Sequence, residues 1–301
     1  MSNSVLVKYF LRALLLFRRF LLLTFTKKTA INQSENSSLP YSLVYLCHEK
    51  DIDVLERSIK ITPGNIAGDL NRIILIYPSA QKENFRNRFS WLSYDEFTDE
   101  ALFSKFLSPG TMSLLDTVKR QGWIKQQLLK FLAAYIVPTQ KYLVVDADTV
   151  VIDRMEFEKN GKPVFYFSDE LEFSYRRYIK RLLGHCSYST LSFVSHICLF
   201  DKKQVMYMMD YIAHKRFTPV SEMEDSQDKA VMAMLSALDF DNDSILSEYE
   251  LYKYFVTEVA REKIVIRYWR NKALNLLTWN GELDSYKQLY YSVSFHDYYR
   301  K

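Results

Sequence analysis

Hydrophobic positions in the first part of the chain follow two different periods. Tyr41 to Cys47 is a continuous apolar run typical of a buried strand, and Arg72 to Tyr77 is a second such run, closed by Pro78. Between them, Asp51 to Ile61 has the spacing of an amphipathic helix. The pattern predicts a strand, a helix and a strand in that order, which is the repeating unit of a parallel sheet.

The alternation continues along the chain. Leu114 to Val137 has one helical stripe of apolar residues and precedes an apolar strand in the run from Lys141 to Ile152. Further strands are predicted at Val164 to Phe167 and Phe193 to Phe200, and further helices at Asp228 to Leu238 and Leu251 to Arg261. Because strands alternate with helices, we predict an α/β fold with a mainly parallel sheet that helices cover on both faces.

Asp146 and Asp148 carry the most informative chemistry in this pattern. They follow the apolar residues of the predicted strand, and side chains two apart on a strand point to the same face. Ligands of parallel sheets bind at the carboxyl ends of the strands. Two oxygen ligands this close suit Mg²⁺ or Mn²⁺, which usually also binds substrate phosphate. The alternative is that the two residues only cap a turn or the next helix.

The positive charge of the chain lies in its first 28 residues. They include six cations and no acid: Lys8, Arg12, Arg18, Arg19, Lys27 and Lys28. The 301-residue chain has a net charge of +4, so subtracting these six leaves −2 for the remainder. This balance argues against a nucleic-acid-binding body and predicts no nucleic acid partner.

Residues 5–23 are rich in Leu and Phe, but charged residues interrupt them well before the roughly 18 apolar residues of a membrane span. Lys8, Arg12 and Arg19 fall on one edge of a helical wheel, as in helices that lie at a membrane surface. A partner-docking helix and an atypical signal sequence are the alternatives, although no small-residue cleavage site follows. We expect this tail to contact a membrane surface.

The polar segment from Thr29 to Leu39 indicates a linker, so we divide the chain into a basic amphipathic tail (1–28), a linker (29–40) and a folded domain (41–301). Cys47, Cys186 and Cys198 have no CxxC spacing, which predicts neither a disulfide framework nor a zinc site. A reducing compartment fits these cysteines. Together with the tail, this predicts a cytoplasmic protein that is peripheral at the inner face of the membrane.

Several motifs occur in an order that resembles GT-A-type glycosyltransferases, whose nucleotide-sugar domain ends a strand in an Asp-x-Asp motif. The match is Asp146-Ala147-Asp148. More narrowly, the chain looks like an uncharacterised bacterial glycosyltransferase-like family. The shared elements are Gly122-Trp123, Gln126-Gln127-Leu128-Leu129-Lys130, Ser192-Phe193-Val194-Ser195-His196, Ser247-Glu248-Tyr249-Glu250-Leu251-Tyr252 and Ser294-Phe295-His296. The resemblance covers roughly residues 41 to 297.

The resemblance implies that Asp146 and Asp148 hold Mn²⁺ or Mg²⁺ under a nucleotide diphosphate. It also implies that His296 is in the place of a late metal-binding His of glycogenin-like relatives, although the residues around that His in those relatives are missing here. Lys130 is a candidate contact for donor phosphate or sugar, or is only a solvated helix residue. His48, Lys50 and Asp51 are candidate nucleotide contacts.

Glu248 and Glu250 are candidates for the general base that an inverting enzyme needs, because they lie late in the chain, where an acceptor part belongs. The alternative is a solvated start of a helix. We expect a nucleotide-sugar part at about 41–160 and an acceptor part at about 161–301. The expected reaction moves a sugar from a nucleotide-diphosphate sugar to a cell-surface glycan or its lipid-linked precursor.

Other protein classes remain open. Asp-x-Asp after an apolar strand also fits a haloacid-dehalogenase-type phosphatase, with Asp146 as nucleophile and Asp148 as acid and base. Asp239, Asp241, Asp243 and Glu250 match positions of a calcium-binding EF-hand loop, but Ser244 replaces the Gly that the loop needs. A non-catalytic sugar-binding module is the third alternative. A nucleotidyltransferase is disfavoured, because no Gly-rich loop follows the first strand.

Overall fold

The computed structural model describes residues 14, 16–26, 28, 40–170, 172–187, 189–216, 225–239, 246–275 and 282–295. The helices are α1 (residues 16–25), α2 (Ile52–Ile61), α3 (Lys82–Arg88), α4 (Asp99–Phe106), α5 (Pro109–Thr117), α6 (Gln121–Leu132), α7 (Phe173–Leu183), α8 (Lys202–Arg216), α9 (Ser226–Ser236), α10 (Glu248–Tyr254) and α11 (Asp284–Lys287).

The strands are β1 (Pro40–Leu46), β2 (Ile66–Ala67), β3 (Asp69–Tyr77), β4 (Asp95–Thr98), β5 (Lys141–Asp146), β6 (Thr149–Val151), β7 (Met155–Glu156), β8 (Glu158–Lys159), β9 (Lys162–Phe167), β10 (Ile197–Asp201), β11 (Val265–Tyr268), β12 (Asn271–Ala273) and β13 (Ser292–Ser294).

The central sheet has five strands in the order β10-β5-β1-β3-β4. Strands β5, β1, β3 and β4 pair in parallel, and only the edge strand β10 runs antiparallel to its neighbour β5. The predicted α/β class with a mainly parallel sheet is therefore confirmed. Smaller sheets, β11-β9-β8, β12-β13-β6 and β2-β7, extend the structure beyond the Asp-bearing strand.

Helices cover both faces of this sheet. Along β1, Val44 and Leu46 belong to one core cluster, while Leu43 and Tyr45 belong to the other. This alternation follows from the two-residue period of a strand. Because all four side chains are buried, the strand is apolar along its length and not alternately polar, as expected for a sheet covered on both faces.

Two predicted elements have different boundaries in the structure. The single helix expected from Leu114 to Val137 is two helices, α5 and α6, separated at Val118 to Arg120, where Arg120 has a φ of 55° in the left-handed region. The strand expected from Phe193 starts only at Ile197, because His196 also has a positive φ, of 53°. The apolar pattern predicts each helix or strand, but it does not show where a single residue adopts a left-handed backbone conformation and ends the element.

Residues 16–25 are the part of the tail helix that the structure describes continuously. Among the residues that the structure describes, no helix is both long and apolar enough to cross a membrane. The linker residues 29–39 lie outside the described part of the chain, so their prediction stays untested.

Candidate functional site

Asp146 and Asp148 lie where the central sheet ends. Asp146 is the last residue of β5, and its backbone N–H donates to the carbonyl of His196 at 2.9 Å. The carbonyl of Asp148 accepts from the backbone N–H of Phe295 at 2.9 Å. Backbone hydrogen bonds from two distant segments therefore fix the turn that carries both carboxylates.

His196 lies beside both carboxylates. Its Nδ1 is 3.5 Å from an oxygen of Asp146 and 3.9 Å from an oxygen of Asp148. The ring stacks on the indole of Trp269, with centroids 5.0 Å apart. Burial by itself lowers the pKa of His196, but the hydrogen bond with Asp148 and the charges of both carboxylates outweigh it and raise the pKa to about 9. His196 thus belongs to a compact acidic cluster.

Asp146, Asp148 and His196 together fit a divalent cation. One ligand atom from each residue lies within 4.8 Å of the others. Carboxylate oxygens suit Mg²⁺ or Mn²⁺, and a neutral imidazole is a common ligand of transition metals. Because a metal competes with the proton on His196, we expect binding to release that proton.

Lys130 is buried and ion-paired, so the solvated alternative for this residue is wrong. Its ammonium donates to Asp146 at 2.7 Å and to Glu248 at 2.5 Å, and it lies 3.2 Å from the hydroxyl of Tyr249. Burial alone lowers the pKa of Lys130, but the charges of Asp146 and Glu248 raise it above its ordinary value. Lys130 therefore stays a cation next to the acidic cluster.

Glu248 and Glu250 lie in the first turn of α10, as the sequence indicates, but neither is solvated. They are only 2% and 7% exposed. Burial raises the pKa of Glu248, and the nearby Lys130 opposes this shift. The Glu250 carboxylate accepts from the backbone N–H of Phe193 at 2.8 Å. Burial raises the pKa of Glu250 as well.

Ser247 begins the helix that delivers Glu248. Its hydroxyl accepts from the backbone N–H of Glu250 at 3.4 Å. We expect Ser247→Ala to lower the free energy of unfolding by about 1 kcal/mol, the usual effect of removing an N-cap. Urea denaturation measures this change. An unchanged midpoint would show that α10 does not depend on this cap.

A groove runs along the carboxyl ends of β1, β3 and β5. It consists of two adjoining cavities of about 380 and 340 Å³, which share Leu46, Lys50, Trp123 and Gln126. The larger cavity is mainly apolar and includes Ile76, Tyr77 and Leu129 in its wall. The smaller one is charged, and its wall is formed by residues that include Asp51, Lys130, Asp146 and Asp148. The groove thus has an apolar end and an ionic end.

The three predicted nucleotide contacts lie along this groove. His48 lines the apolar end, Asp51 lines the ionic end, and Lys50 lines both. The His48 ring contacts the amide of Gln81 at 2.8 Å, which positions it at the groove wall.

Some sequence predictions fall on residues that are not described. His296 lies outside the described residues, although the preceding Phe295 contacts the Asp148 backbone. Asp241 and Asp243 of the EF-hand-like segment also lie outside them. Its first residue, Asp239, pairs with Arg181 at 3.0 Å. His196 was missed as a ligand because the apolar run placed it inside a strand.

Residues 49–298 match the model of a protein family described as a family of unknown function (DUF6492). Among curated proteins, none matches the chain. The structure is similar to mouse xyloside xylosyltransferase 1 in its apo form, with 10% sequence identity, a TM-score of 0.48, and coverage of 87% of this chain and 100% of the other.

A second similar structure is the galactosyltransferase LgtC in complex with donor and acceptor sugar analogs. The identity is 11% and the TM-score is 0.36, and the alignment covers 84% of this chain and 86% of LgtC. At these TM-scores neither likeness assigns an activity to the chain.

Proposed function

Since this chain belongs to the DUF6492 family of unknown function, we propose its activity from its site: a metal-dependent glycosyltransferase that uses a nucleotide-diphosphate sugar. The observation that carries the proposal is the cluster of Asp146, Asp148 and His196 at the carboxyl edge of a parallel sheet. Ligands of such sheets bind at this edge. The adjoining groove is of the size that small-molecule ligands occupy.

The two ends of the groove support a nucleotide diphosphate as the ligand. Trp123 and Tyr77 offer apolar, aromatic walls for a base. Lys50 lines both ends, so its ammonium lies between the apolar end and the ionic end. The phosphates of a nucleotide would lie there if its base occupied the apolar end. Asp146, Asp148 and His196 would hold Mn²⁺ or Mg²⁺ at the ionic end, and His296 stays a further proposed ligand.

In the proposed reaction, an acceptor hydroxyl oxygen bonds to the anomeric carbon while the bond from that carbon to the diphosphate oxygen breaks. The metal ion, when bound, neutralises the leaving diphosphate. Lys130 adds a fixed positive charge beside Asp146. The proton of the acceptor goes to a general base, for which Glu248 and Glu250 are the proposed residues. Glu248 is the nearer to Asp146, because both contact Lys130.

The acceptor and the location are also part of the proposal. We propose a cell-surface glycan or its lipid-linked precursor as acceptor, with the protein peripheral at the inner face of the membrane through residues 5–23. Support comes from the basic, acid-free tail and from the apolar side chains that α1 exposes. The nucleotide-sugar part at about 41–160 and the acceptor part at about 161–301 complete the proposal.

A nucleotide-diphosphate panel tests the proposal. We expect one nucleotide to raise the melting temperature in the presence of Mn²⁺ and not in its absence. A ligand at a hundred times its Kd stabilises the folded state by about 2.7 kcal/mol, which for a protein of this size corresponds to about 4 °C.

A different outcome identifies the rival enzyme. No response to any nucleotide, together with a phosphatase activity that Asp146→Asn abolishes, would contradict the proposal. Such a result would indicate a haloacid-dehalogenase-type phosphatase.

A further inference from the structure

Helix α1 lies on the protein with its apolar side turned outward. Leu16, Phe17, Phe20 and Phe25 are 62%, 58%, 62% and 77% exposed. Leu22 and Leu23, on the opposite side of the helix, pack against the main core. The arrangement reverses the expectation for a soluble protein, because the larger aromatic side chains face solvent.

Hydrogen bonds attach α1 to the body. Arg18 donates to the carbonyl of Thr190 at 2.6 Å, and Arg19 donates to the carbonyl of Asn271 at 2.7 Å. From the body, Arg270 donates to the carbonyl of Leu23 at 2.9 Å and to that of Thr26. A cation at the C-terminal end of a helix is favourable. Arg18 and Arg19, the two arginines of the described helix, therefore both bind carbonyl groups of the body and hold α1 in one position against it.

The residues of the body that bind α1 lie near the cluster of Asp146, Asp148 and His196. Arg270 and Asn271 directly follow Trp269, whose indole stacks on His196. The backbone N–H of Trp269 donates to the carbonyl of Phe167 at 2.7 Å, and Arg19 lies 3.7 Å from Asp169 on the following loop. Helix α1 thus contacts Asp169, Arg270 and Asn271, which are close in sequence to the residues that pack around His196.

The positive charge of the tail indicates which kind of surface the exposed face of α1 would bind. Residues 1–28 contain six cations and no acid. Arg18 and Arg19 donate to carbonyls of the body, and Lys28 pairs with Asp153. The charge argument therefore rests on Lys8, Arg12 and Lys27 of the sequence. The remainder of the chain has a charge of −2. An exposed apolar helix face in a tail whose sequence has cations and no acid complements a bilayer with anionic headgroups.

We infer that the face formed by Leu16, Phe17, Phe20 and Phe25 docks on an anionic membrane and holds the His196 side of the site against the lipid surface. The acceptor is then carried by a membrane lipid and enters from that side. The acceptor class rests on the proposed glycosyltransferase function, whereas the docking does not.

Vesicle cosedimentation tests the docking. The probe is vesicles of phosphatidylcholine with phosphatidylglycerol, and the variant is Phe17→Ser/Phe20→Ser. Buried phenylalanines contribute strongly to such binding, so we expect at least a tenfold loss of partitioning. The matched control, Trp91→Ser/Tyr207→Ser, removes two exposed aromatic residues elsewhere and should bind as the wild type does.

Three results would overturn the docking. One is a wild type that does not bind these vesicles. Another is a control variant that loses as much binding as the α1 variant. The third is a wild-type dimer in solution that Phe17→Ser/Phe20→Ser dissociates, which would make this face an interface between two copies of the chain.

A fluorescent label tests the orientation. Leu289 is exposed, and its carbonyl accepts from Arg270 at 3.4 Å, so position 289 reports on the α1 side. In a Cys186→Ser background, an environment-sensitive dye on Leu289→Cys should shift to the blue when vesicles are added, and the dye on Tyr207→Cys should not. Equal shifts at both positions would contradict the orientation.

Nucleotide binding separates the two proposals. Without vesicles, the α1 variant should keep the Mn²⁺-dependent thermal response of the wild type. If vesicle binding occurs but no nucleotide stabilises any variant, the glycosyltransferase proposal and its lipid-borne acceptor fail while the docking stands. If nucleotide binding occurs without vesicle binding, only the docking fails.

Discussion

Replacing Lys130 by Met is expected to lower the free energy of unfolding by about 3–5 kcal/mol. The reason is that Glu248, which is only 2% exposed, loses the cation that its carboxylate contacts at 2.5 Å. Removing one partner of a buried ion pair leaves an uncompensated charge in a medium of low polarity, and this costs far more than the pair contributes. Urea denaturation with an unchanged m-value would measure the loss.

Two further variants make this result specific. Lys130→Met/Glu248→Gln removes both fully buried charges and should recover most of the stability, because a neutral buried pair is well tolerated. The Asp146 carboxylate also loses its cation, but its side chain is 26% exposed and can be solvated. Lys60→Met breaks the exposed pair of Lys60 and Glu56 and should cost less than about 1 kcal/mol. A loss for Lys130→Met as small as that for Lys60→Met would contradict the buried network.

The stable double variant then reports on ligand binding. If Lys130 also contacts donor phosphate or sugar, the double variant should fold and yet respond less to Mn²⁺ and nucleotide. An undiminished response would restrict Lys130 to positioning Asp146.

Asp148→Asn is expected to abolish the Mn²⁺-dependent response to nucleotide and to lower transfer activity by about a thousandfold. A catalytic metal contributes several kcal/mol of charge stabilisation, and each 1.36 kcal/mol is a factor of ten in rate. The melting temperature without ligand should change little, because two effects oppose each other. The substitution would remove the repulsion from the neighbouring carboxylate of Asp146, but the protonated His196 would lose the carboxylate of Asp148 that stabilises it.

The control for this variant is Asp53→Asn. Asp53 lies in α2, and its carboxylate pairs with Arg88 at a distance of 2.6 Å. Neither residue contributes to the cluster of Asp146, Asp148 and His196. It should keep both the thermal response and the activity. Calorimetric titration of Mn²⁺ into both variants adds a readout that does not depend on turnover. Equal Mn²⁺ affinity in Asp148→Asn and Asp53→Asn would exclude Asp148 as a ligand.

The sequence predicted the acidic edge of the sheet because its cause is local. An apolar strand that ends in two carboxylates two residues apart leaves few arrangements, and the structure places Asp146 at the end of β5. The β-α-β order likewise follows from hydrophobic periods that can be seen within single elements. These features did not need any knowledge of distant contacts.

The rest of the site depends on contacts between distant residues. His196 comes to the two carboxylates because β10 pairs antiparallel with β5, and no local pattern encodes that pairing. Lys130 lies in α6 between Leu129 and Phe131, and only the distant carboxylates of Asp146 and Glu248 explain why an ammonium is buried there. The positive φ of His196 is equally invisible in a run of apolar residues.

The separation of 118 residues between Lys130 and Glu248 has a consequence for synthesis on the ribosome. At roughly 5–20 residues per second, Glu248 is made roughly 6–24 seconds after Lys130. During that interval β1, β3 and β5 can already pair, and Lys130 can already contact Asp146, but the ammonium still lacks Glu248, its second carboxylate partner. We therefore expect this ionic site to stay incomplete and open to water in the nascent chain until α10, which carries Glu248, packs against α6.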